Sequence, residues 1–353
     1  MPVHHRPFPF LLCLSFGIAN AAWAYPEYRV TVVGPANSIA TDINKYGVVT
    51  GDYYATSDAP RGFLNRGAGV VYLGGTPSNA IAINDKGQVL GHWSTSAGQL
   101  RGFIYYAGTR RDIGVIPGRI TRYTDINYGG YVTAHGTKPD SFDGPRGYLR
   151  APDGTFRDVG VLPYDEPHTY VFALNGRNQI AGASGPLTFP DQPLRAISWT
   201  AGVMRDLGDF GWAPNYAEAI NDCGQLTGTM SVLGVFRDRI AFLYHNGRLT
   251  NIDGRPAGGE RYSAGAGING LGHIVGSSDH LSGFVYRGRR MQSLNALIDP
   301  ALRWDIRYPK AINNAGQIAA TADRNGMQYA VRLDLIRPML ERAPDHTTAC
   351  GAP

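Results

Sequence analysis

Ala82-Ile83-Asn84-Asp85-Lys86-Gly87-Gln88-Val89-Leu90-Gly91 is the stretch that decides the fold. It joins two short apolar runs through an Asn-x-x-Gly turn, and altered copies of it recur along the chain. The copies are spaced 40 to 48 residues apart, which is a period typical of propellers and solenoids. They are centred on Asn44, Asn84, Asn127, Asn175, Asn221, Asn269 and Asn313.

The last position of the turn predicts a left-handed backbone. Six copies have Gly there, and the remaining copy has Asn178. Gly reaches positive φ freely, and Asn is one of the few other residues that tolerate it. The Asn that opens each motif can hydrogen-bond its own backbone two residues on, as an Asx-turn. Together these features predict a tight hairpin between two strands.

Each repeat divides into four strands, which predicts an all-β fold with seven blades arranged as a β-propeller. In the second repeat the first strand ends at Ile83, and the others cover 88–93, 101–106 and 110–114. The last repeat lacks a fourth strand, whereas an extra strand, Tyr28–Gly34, precedes the first motif. We therefore predict that the N-terminal strand completes the last blade and removes the open sheet edge. An open β-solenoid is the alternative, and it would need end caps.

Composition agrees with a turn-rich β protein rather than a helical bundle or a disordered chain. The 353 residues include 46 Gly and 23 Pro, and 17% are charged. The formal net charge of +5 is spread along the chain, without a block of like charges, so nucleic acid is not a predicted partner.

Residues 1–24 have the pattern of a secretory signal peptide. A basic start at His4, His5 and Arg6 precedes an apolar run over 8–18, and Ala22-Trp23-Ala24 is a small-x-small cleavage site. A membrane anchor is the alternative, but the run is short for a span. We predict a secreted or periplasmic protein without a transmembrane segment after cleavage. Its single propeller domain covers 25–336, and a tail covers 337–353. Cys223 and Cys350 could pair outside the cytoplasm, and two unpaired thiols fit equally well.

The repeat pattern Ala-x-x-Ile-Asn-x-x-Gly-Gln-Val-x-Gly, followed by an aromatic-centred strand and Asp-Leu-Gly, resembles the bacterial extracellular HAF-repeat family. The resemblance covers nearly the whole chain after the signal peptide. The His-Ala-Phe triplet of that family reads here as Arg-Gly-Phe, Arg-Gly-Tyr, Ile-Ala-Phe or Ser-Gly-Phe. The resemblance implies an exported repeat protein and brings no catalytic residue or cofactor.

The longer loops, opposite the Asn-x-x-Gly turns, are the predicted binding region. They mix aromatic side chains with carboxylates and Arg, which suits a glycan, a peptide or a surface protein. Ordinary solvated loops are the alternative. The candidate binding residues are Asp143, Tyr164, Asp165, Glu166, His168, Phe189, Asp191, Trp212, Tyr216, Arg261 and Tyr262.

Three function hypotheses follow: a binding module, a polysaccharide hydrolase or lyase using Asp165, Glu166 or Asp191, and a purely structural surface protein. The binding module is favoured on the seven turns and the signal peptide. The sequence has no H-E-x-x-H, Walker, G-x-S-x-G or Ca²⁺-loop motif, and we predict no catalytic residue, metal ligand or cofactor. His92, His135 and Asp52 occupy equivalent places in different repeats, and we expect partly exposed strand-end residues rather than a metal site. A recurring Arg at 61, 101, 146 and 195 predicts packing or pairing between blades.

Overall fold

The computed structural model describes residues 26–336, apart from 56–58, 76, 140–143, 165–167, 187–193, 209–213, 233–234 and 257–259. Almost all regular structure in these ranges is β, with two short 3-10 helices at Leu294–Ala296 and Pro300–Leu302. The strands are β1 (Tyr28–Ala36), β2 (Ser38–Ile43), β3 (Val49–Tyr53), β4 (Arg61–Asn65), β5 (Val70–Tyr72), β6 (Ser78–Ile83), β7 (Val89–Ser94), β8 (Leu100–Tyr106), β9 (Thr109–Gly114), β10 (Ile120–Ile126), β11 (Val132–Thr137), β12 (Arg146–Arg150), β13 (Phe156–Asp158), β14 (His168–Leu174), β15 (Ile180–Gly185), β16 (Arg195–Thr200), β17 (Val203–Asp206), β18 (Tyr216–Ile220), β19 (Leu226–Val232), β20 (Val235–His245), β21 (Arg248–Asn251), β22 (Ser263–Ile268), β23 (Ile274–Ser278), β24 (Ser282–Arg287), β25 (Arg290–Ser293), β26 (Asp305–Ile312), β27 (Ile318–Arg324) and β28 (Met327–Leu335).

The strands form seven antiparallel four-stranded sheets, which are the blades of a seven-bladed β-propeller. Six blades take four consecutive strands each, beginning at β2, β6, β10, β14, β18 and β22. The seventh combines β26, β27 and β28 with β1 as its outer strand, and Tyr28 pairs with Leu335 in the register of that pair. The fold prediction is confirmed, including closure of the ring by the N-terminal strand.

Seven buried asparagines form a closed ring of hydrogen bonds at the inner corners of the blades. The side-chain Nδ2 of each motif Asn donates to the backbone carbonyl of the motif Asn in the next blade, at 2.8 to 3.3 Å. The last bond runs from Asn313 back to Asn44 at 3.0 Å. The motif Asn therefore closes its own turn and also fastens neighbouring blades around the common axis.

Turn geometry explains the Gly or Asn at the fourth motif position. Its φ lies between 72° and 81° in the six copies with Gly, and Asn178 has φ 60°. In the first copy the Asn44 side-chain oxygen accepts from the backbone of Tyr46 and of Val48, both at 3.1 Å. The predicted Asx-turn and the predicted left-handed residue are both confirmed.

Core side chains lie between neighbouring blades and within each sheet. Phe63, Phe103, Phe242 and Phe284 stand at the centre of the third strands and are fully buried. Gly91, in the strand that follows the turn, makes room for the Phe103 ring, because a Cβ at this position would stand 2.3 Å from it. Close packing between blades also requires Gly at position 102 of strand three, because a Cβ there would stand 2.1 Å from the Tyr123 ring of the next blade.

The recurring Arg of strand three forms its ion pair within its own blade. The prediction that this Arg pairs between blades was therefore wrong. The Arg meets the Asp of strand four in the pairs Arg101–Asp112, Arg146–Asp158 and Arg195–Asp206, at 2.6, 3.3 and 3.4 Å. Strands three and four are hydrogen-bonded neighbours, which brings the two side chains together. Arg61 has no such Asp opposite it; it donates to the Gly74 carbonyl and stacks on Tyr72.

The predicted signal peptide and the predicted tail lie outside the described residues. Within the described ranges, the structure has no helix that is both long enough and apolar enough to cross a bilayer. Cys223 is disulfide-bonded, so the paired alternative holds for this cysteine. The two other cysteines of the chain, Cys13 and Cys350, lie outside the described residues.

Candidate functional site

The blades expose two different faces. The turn face carries the Asn-x-x-Gly turns and the hairpins that join strands three and four. The loop face carries the connections from strand two to strand three and from each blade to the next. The predicted binding residues that the structure describes lie at or shortly before the start of an inner strand, at the loop-face end of their blades.

Six of the predicted binding residues lie outside the described residues and stay predictions: Asp143, Asp165, Glu166, Phe189, Asp191 and Trp212. They include all three carboxylates on which the hydrolase or lyase hypothesis depends. The described candidates are Tyr164, His168, Tyr216, Arg261 and Tyr262, and the structure distributes them over three blade borders.

Tyr164 and His168 stand where the chain passes from blade three to blade four. His168 begins β14, and its ring lies so close to Gly144 that a Cβ there would stand 1.8 Å from the imidazole. The guanidinium of Arg195 lies 6.0 Å from the centre of the Tyr164 ring. These contacts give both residues local packing partners on the loop face.

Tyr216 belongs to an aromatic cluster on the inner strands, which surround the central channel. Its ring meets Phe172 edge-on at 6.1 Å, and Phe172 stacks on Tyr170 at 6.2 Å. All three side chains are half-buried. Burial raises the pKa of the neighbouring Glu218, while the charge of Lys310 on the inner strand of blade seven opposes that rise. The channel wall therefore combines an aromatic surface with a carboxylate of reduced acidity.

Arg261 is held in a buried ion pair. Its side chain is 5% exposed, and its Nη2 lies 2.6 Å from Asp238 Oδ2, whose side chain is fully buried. The backbone N–H of Arg261 donates to the other carboxylate oxygen of Asp238 at 2.9 Å. The Arg261 guanidinium is thus bound within the protein, where it fixes the chain immediately before Tyr262.

Tyr262 lines a loop-face groove of about 620 Å³ between blades six and seven. We use the name loop-face groove for the surface bounded by residues 262, 277–282, 293, 295, 305, 307 and 308. Two tyrosines from successive blades contribute exposed rings, with Tyr262 46% and Tyr308 49% accessible. A groove with two open aromatic rings can hold an extended ligand by stacking.

Fixed polar groups surround these rings. Arg307 bridges Asp305 at 2.8 Å and Asp323 at 2.9 Å. The Asn295 amide donates to Asp305 Oδ1 at 2.9 Å. Asp279 pairs with Arg255 at 2.8 Å. Because each charge has a partner, the groove offers oriented hydrogen-bonding groups rather than a strong net field.

Arg239 connects the channel cluster to the loop-face groove and was not predicted. Its backbone forms a parallel bridge with Tyr262, and its guanidinium lies 5.9 Å from the Tyr216 ring. Tyr308 was also missed, although it stands five residues before its motif Asn, as Tyr170 and Tyr216 do. Aligning the repeats on that Asn would have identified it as an inner-strand residue.

His92 and Asp52 are buried, so the expectation of partly exposed residues was wrong for these two, whereas His135 is half-buried with its ring 5.5 Å from that of Tyr170 in the next blade. His92 Nε2 accepts from the Tyr123 backbone at 2.8 Å, and Asp52 accepts from the Ala80 backbone at the same distance. Burial, with the charges of Arg122 and His135 adding to it, lowers the pKa of His92 to about 4. Across the part of the chain that the structure describes, no three His, Cys, Asp or Glu side chains are grouped to hold a metal.

Solved structures share this fold at very low sequence identity. The β-propeller domain of the Trilobed protease from Pyrococcus furiosus aligns with a TM-score of 0.55 and 8% identity, over 88% of this chain and 98% of that domain. Pyrococcus horikoshii acylaminoacyl peptidase aligns with a TM-score of 0.58 and 10% identity, over 86% of this chain but only 52% of the peptidase. YCF48, solved bound to D1 peptide, aligns with a TM-score of 0.51 and 9% identity, over 88% of this chain and 97% of the YCF48 chain. No protein-family model and no curated protein sequence matches the chain.

The comparisons support the propeller fold alone, because all three identities are far below those of homologues with a common activity. A propeller with an aromatic groove on its variable face fits a binding or interaction module.

Proposed function

We propose that this chain is an exported protein of the HAF-repeat type that binds a peptide segment of a partner protein in the loop-face groove. The observation that carries the proposal is the pair of exposed rings, Tyr262 and Tyr308, in one groove with fixed polar groups. Export is supported by the signal-peptide pattern of residues 1–24.

A peptide fits this groove better than a small rigid molecule does. The groove is long enough to involve two blades and is open to solvent, so an extended chain can enter from the side. Ser277, Asn295 and Asp279 present donors and acceptors that match the amide groups of a peptide backbone. The two tyrosines then select side chains by stacking. The peptide-bound structure of YCF48 supports the choice, since that propeller aligns over most of this chain.

The proposal is tested by selecting peptides against the purified mature protein from a displayed random library. Tyr262→Ala and Tyr308→Ala are each expected to weaken a selected peptide about tenfold, since a buried aromatic anchor contributes more than 1 kcal/mol. Tyr106→Ala is the matched control, because Tyr106 is 52% exposed on blade two and lies outside the groove.

An equal loss of peptide affinity in all three variants would contradict a site in this groove. So would selected peptides whose affinity is unchanged in both Tyr262→Ala and Tyr308→Ala. Export is checked separately by N-terminal sequencing of the protein recovered after secretion. Cleavage between Ala24 and Tyr25 is expected.

A further inference from the structure

A second groove lies on the turn face, at the border of blades five and six, and its lining is basic. We call it the turn-face groove. Its cavity volume is about 600 Å³. It is walled by the hairpin after β20, by the hairpin after β24 and by the Asn-x-x-Gly turn of blade six. Its lining includes three arginines and two histidines, and none of its lining residues is acidic.

Two of the arginines are available to a ligand. Arg287 is buried and already bonds Glu27 and Gln292. Arg248 and Arg289 are exposed, and neither has a carboxylate partner among the described residues. The guanidinium group binds carboxylates through two parallel hydrogen bonds. The groove therefore presents two guanidinium groups from different blades to one bound anion-bearing chain.

Arg289 occupies a backbone position that its sister hairpins give to Gly. Three other two-residue hairpins join strands three and four, and their second residue is Gly108, Gly202 or Gly247 with φ between 78° and 103°. In blade six the second residue is Arg289, with φ 60°. A left-handed backbone is unfavourable for a residue with a Cβ. Such a conformation at a surface turn points to a function for the side chain.

The lining also has an apolar part. Leu243, Leu271 and Tyr286 are half-buried in the wall of the groove. Burial raises the pKa of Tyr286 and the charge of Arg289 opposes the rise, which places the guanidinium next to the phenol. Charge and apolar surface are therefore side by side. An acidic sugar polymer would use the charges alone, whereas an acidic peptide would use both.

We propose that the turn-face groove binds an acidic peptide segment with apolar side chains, independently of the loop-face groove. Arg248 and Arg289 bind its carboxylates, and Leu243, Leu271 and Tyr286 contact its apolar residues. The two grooves open on opposite faces of the propeller, so one molecule can hold two partners at once.

Fluorescence anisotropy on the mature full-length protein tests this site with three labelled peptides. One alternates Glu with Leu, one alternates Gln with Leu, and one alternates Glu with Ser. The Glu–Leu peptide is expected to bind about tenfold more tightly than either of the others, because each of them lacks one of the two recognised features.

Variants separate the site from general surface charge and from folding. Arg248→Gln and Arg289→Gly are each expected to weaken binding of the Glu–Leu peptide about tenfold, because each removes a charge-assisted contact. Arg290→Gln is the control, because Arg290 is exposed beside Arg289 and does not line the groove. Arg289→Gly should also raise the Tm by about 2 °C, since it relieves the left-handed strain.

Three results would overturn the proposal. Equal binding of the Glu–Leu and Glu–Ser peptides would show that charge alone is recognised. An equal loss in Arg290→Gln would show that the attraction is spread over the surface. If Tyr262→Ala abolishes binding of the Glu–Leu peptide, that peptide binds in the loop-face groove instead. A failed library selection at the loop-face groove would not change the result at the turn-face groove.

Discussion

Replacing Asn313 with Ala should weaken the propeller at the point where its last blade meets its first. The Asn313 side chain makes four hydrogen bonds. Its Nδ2 donates to the Asn44 carbonyl at 3.0 Å and to Gln317 Oε1 at 2.9 Å. Its Oδ1 accepts from the backbones of Ala315 and Gln317 at 3.1 and 3.0 Å. At about 1 kcal/mol net for each bond, the variant should lose about 3 to 4 kcal/mol of unfolding free energy.

Urea unfolding followed by tryptophan fluorescence measures the loss, and the neighbouring Asn314→Ala is the matched control. Asn314 stands in the same turn but is exposed, and its side chain accepts one bond from Gly270 at 2.7 Å. That control should lose less than about 1 kcal/mol. Equal losses in the two variants, or a loss below about 1 kcal/mol for Asn313→Ala, would refute the idea that the Asn ring holds the blades together.

Two further predictions concern buried charges. Burial raises the pKa of Asp42 to about 7, with nearby Asp125 adding to the rise, and burial raises the pKa of Asp125 to about 6. Unfolded carboxyls titrate near pH 4, so the folded protein holds extra protons between about pH 4 and 7 and stability should fall as pH rises through that window. Asp42→Asn should flatten this dependence in urea midpoints measured from pH 4 to 8, and an unchanged slope would contradict the assignment. Arg261→Ala should cost about 3 to 5 kcal/mol because it breaks the buried ion pair with Asp238, whereas Tyr262→Ala should leave the urea midpoint unchanged. Similar midpoints for the two variants would show that the Arg261 ion pair is not structural.

Local rules predicted the parts of the fold that depend on neighbours in sequence. Positive φ at Asn178 follows from its place in a Gly position, and the Asx-turn follows from the side chain of Asn44 reaching its own backbone. Closure by β1 also followed from the sequence, because the last repeat lacked one strand and the N terminus supplied one. These inferences needed only the repeat and the stereochemistry of a turn.

Contacts between repeats were harder to predict. The Nδ2 group of Asn44 bonds a residue 40 positions away, and sequence alone does not place a carbonyl beside it. The Arg101–Asp112 pair follows from the register of β8 and β9, which fixes partners only once the hairpin is known. The two grooves depend on three or more segments each, so their volume and charge emerged only from the assembled blades.

Blade six takes part in both grooves, and its inner strand suggests why. β22 has only small residues at its centre, so its neighbours come close there. A Cβ at Gly265 would stand 2.1 Å from Thr227 of blade five, and a Cβ at Gly267 would stand 2.7 Å from the Lys310 carbonyl of blade seven. This packing fixes the three blades at mid-height, while the longer side chains Tyr262 and Arg289 stand at the two ends of blade six. Because the centre is close-packed, each groove rests on a rigid support, and the ligand preference of each face can differ without disturbing the other.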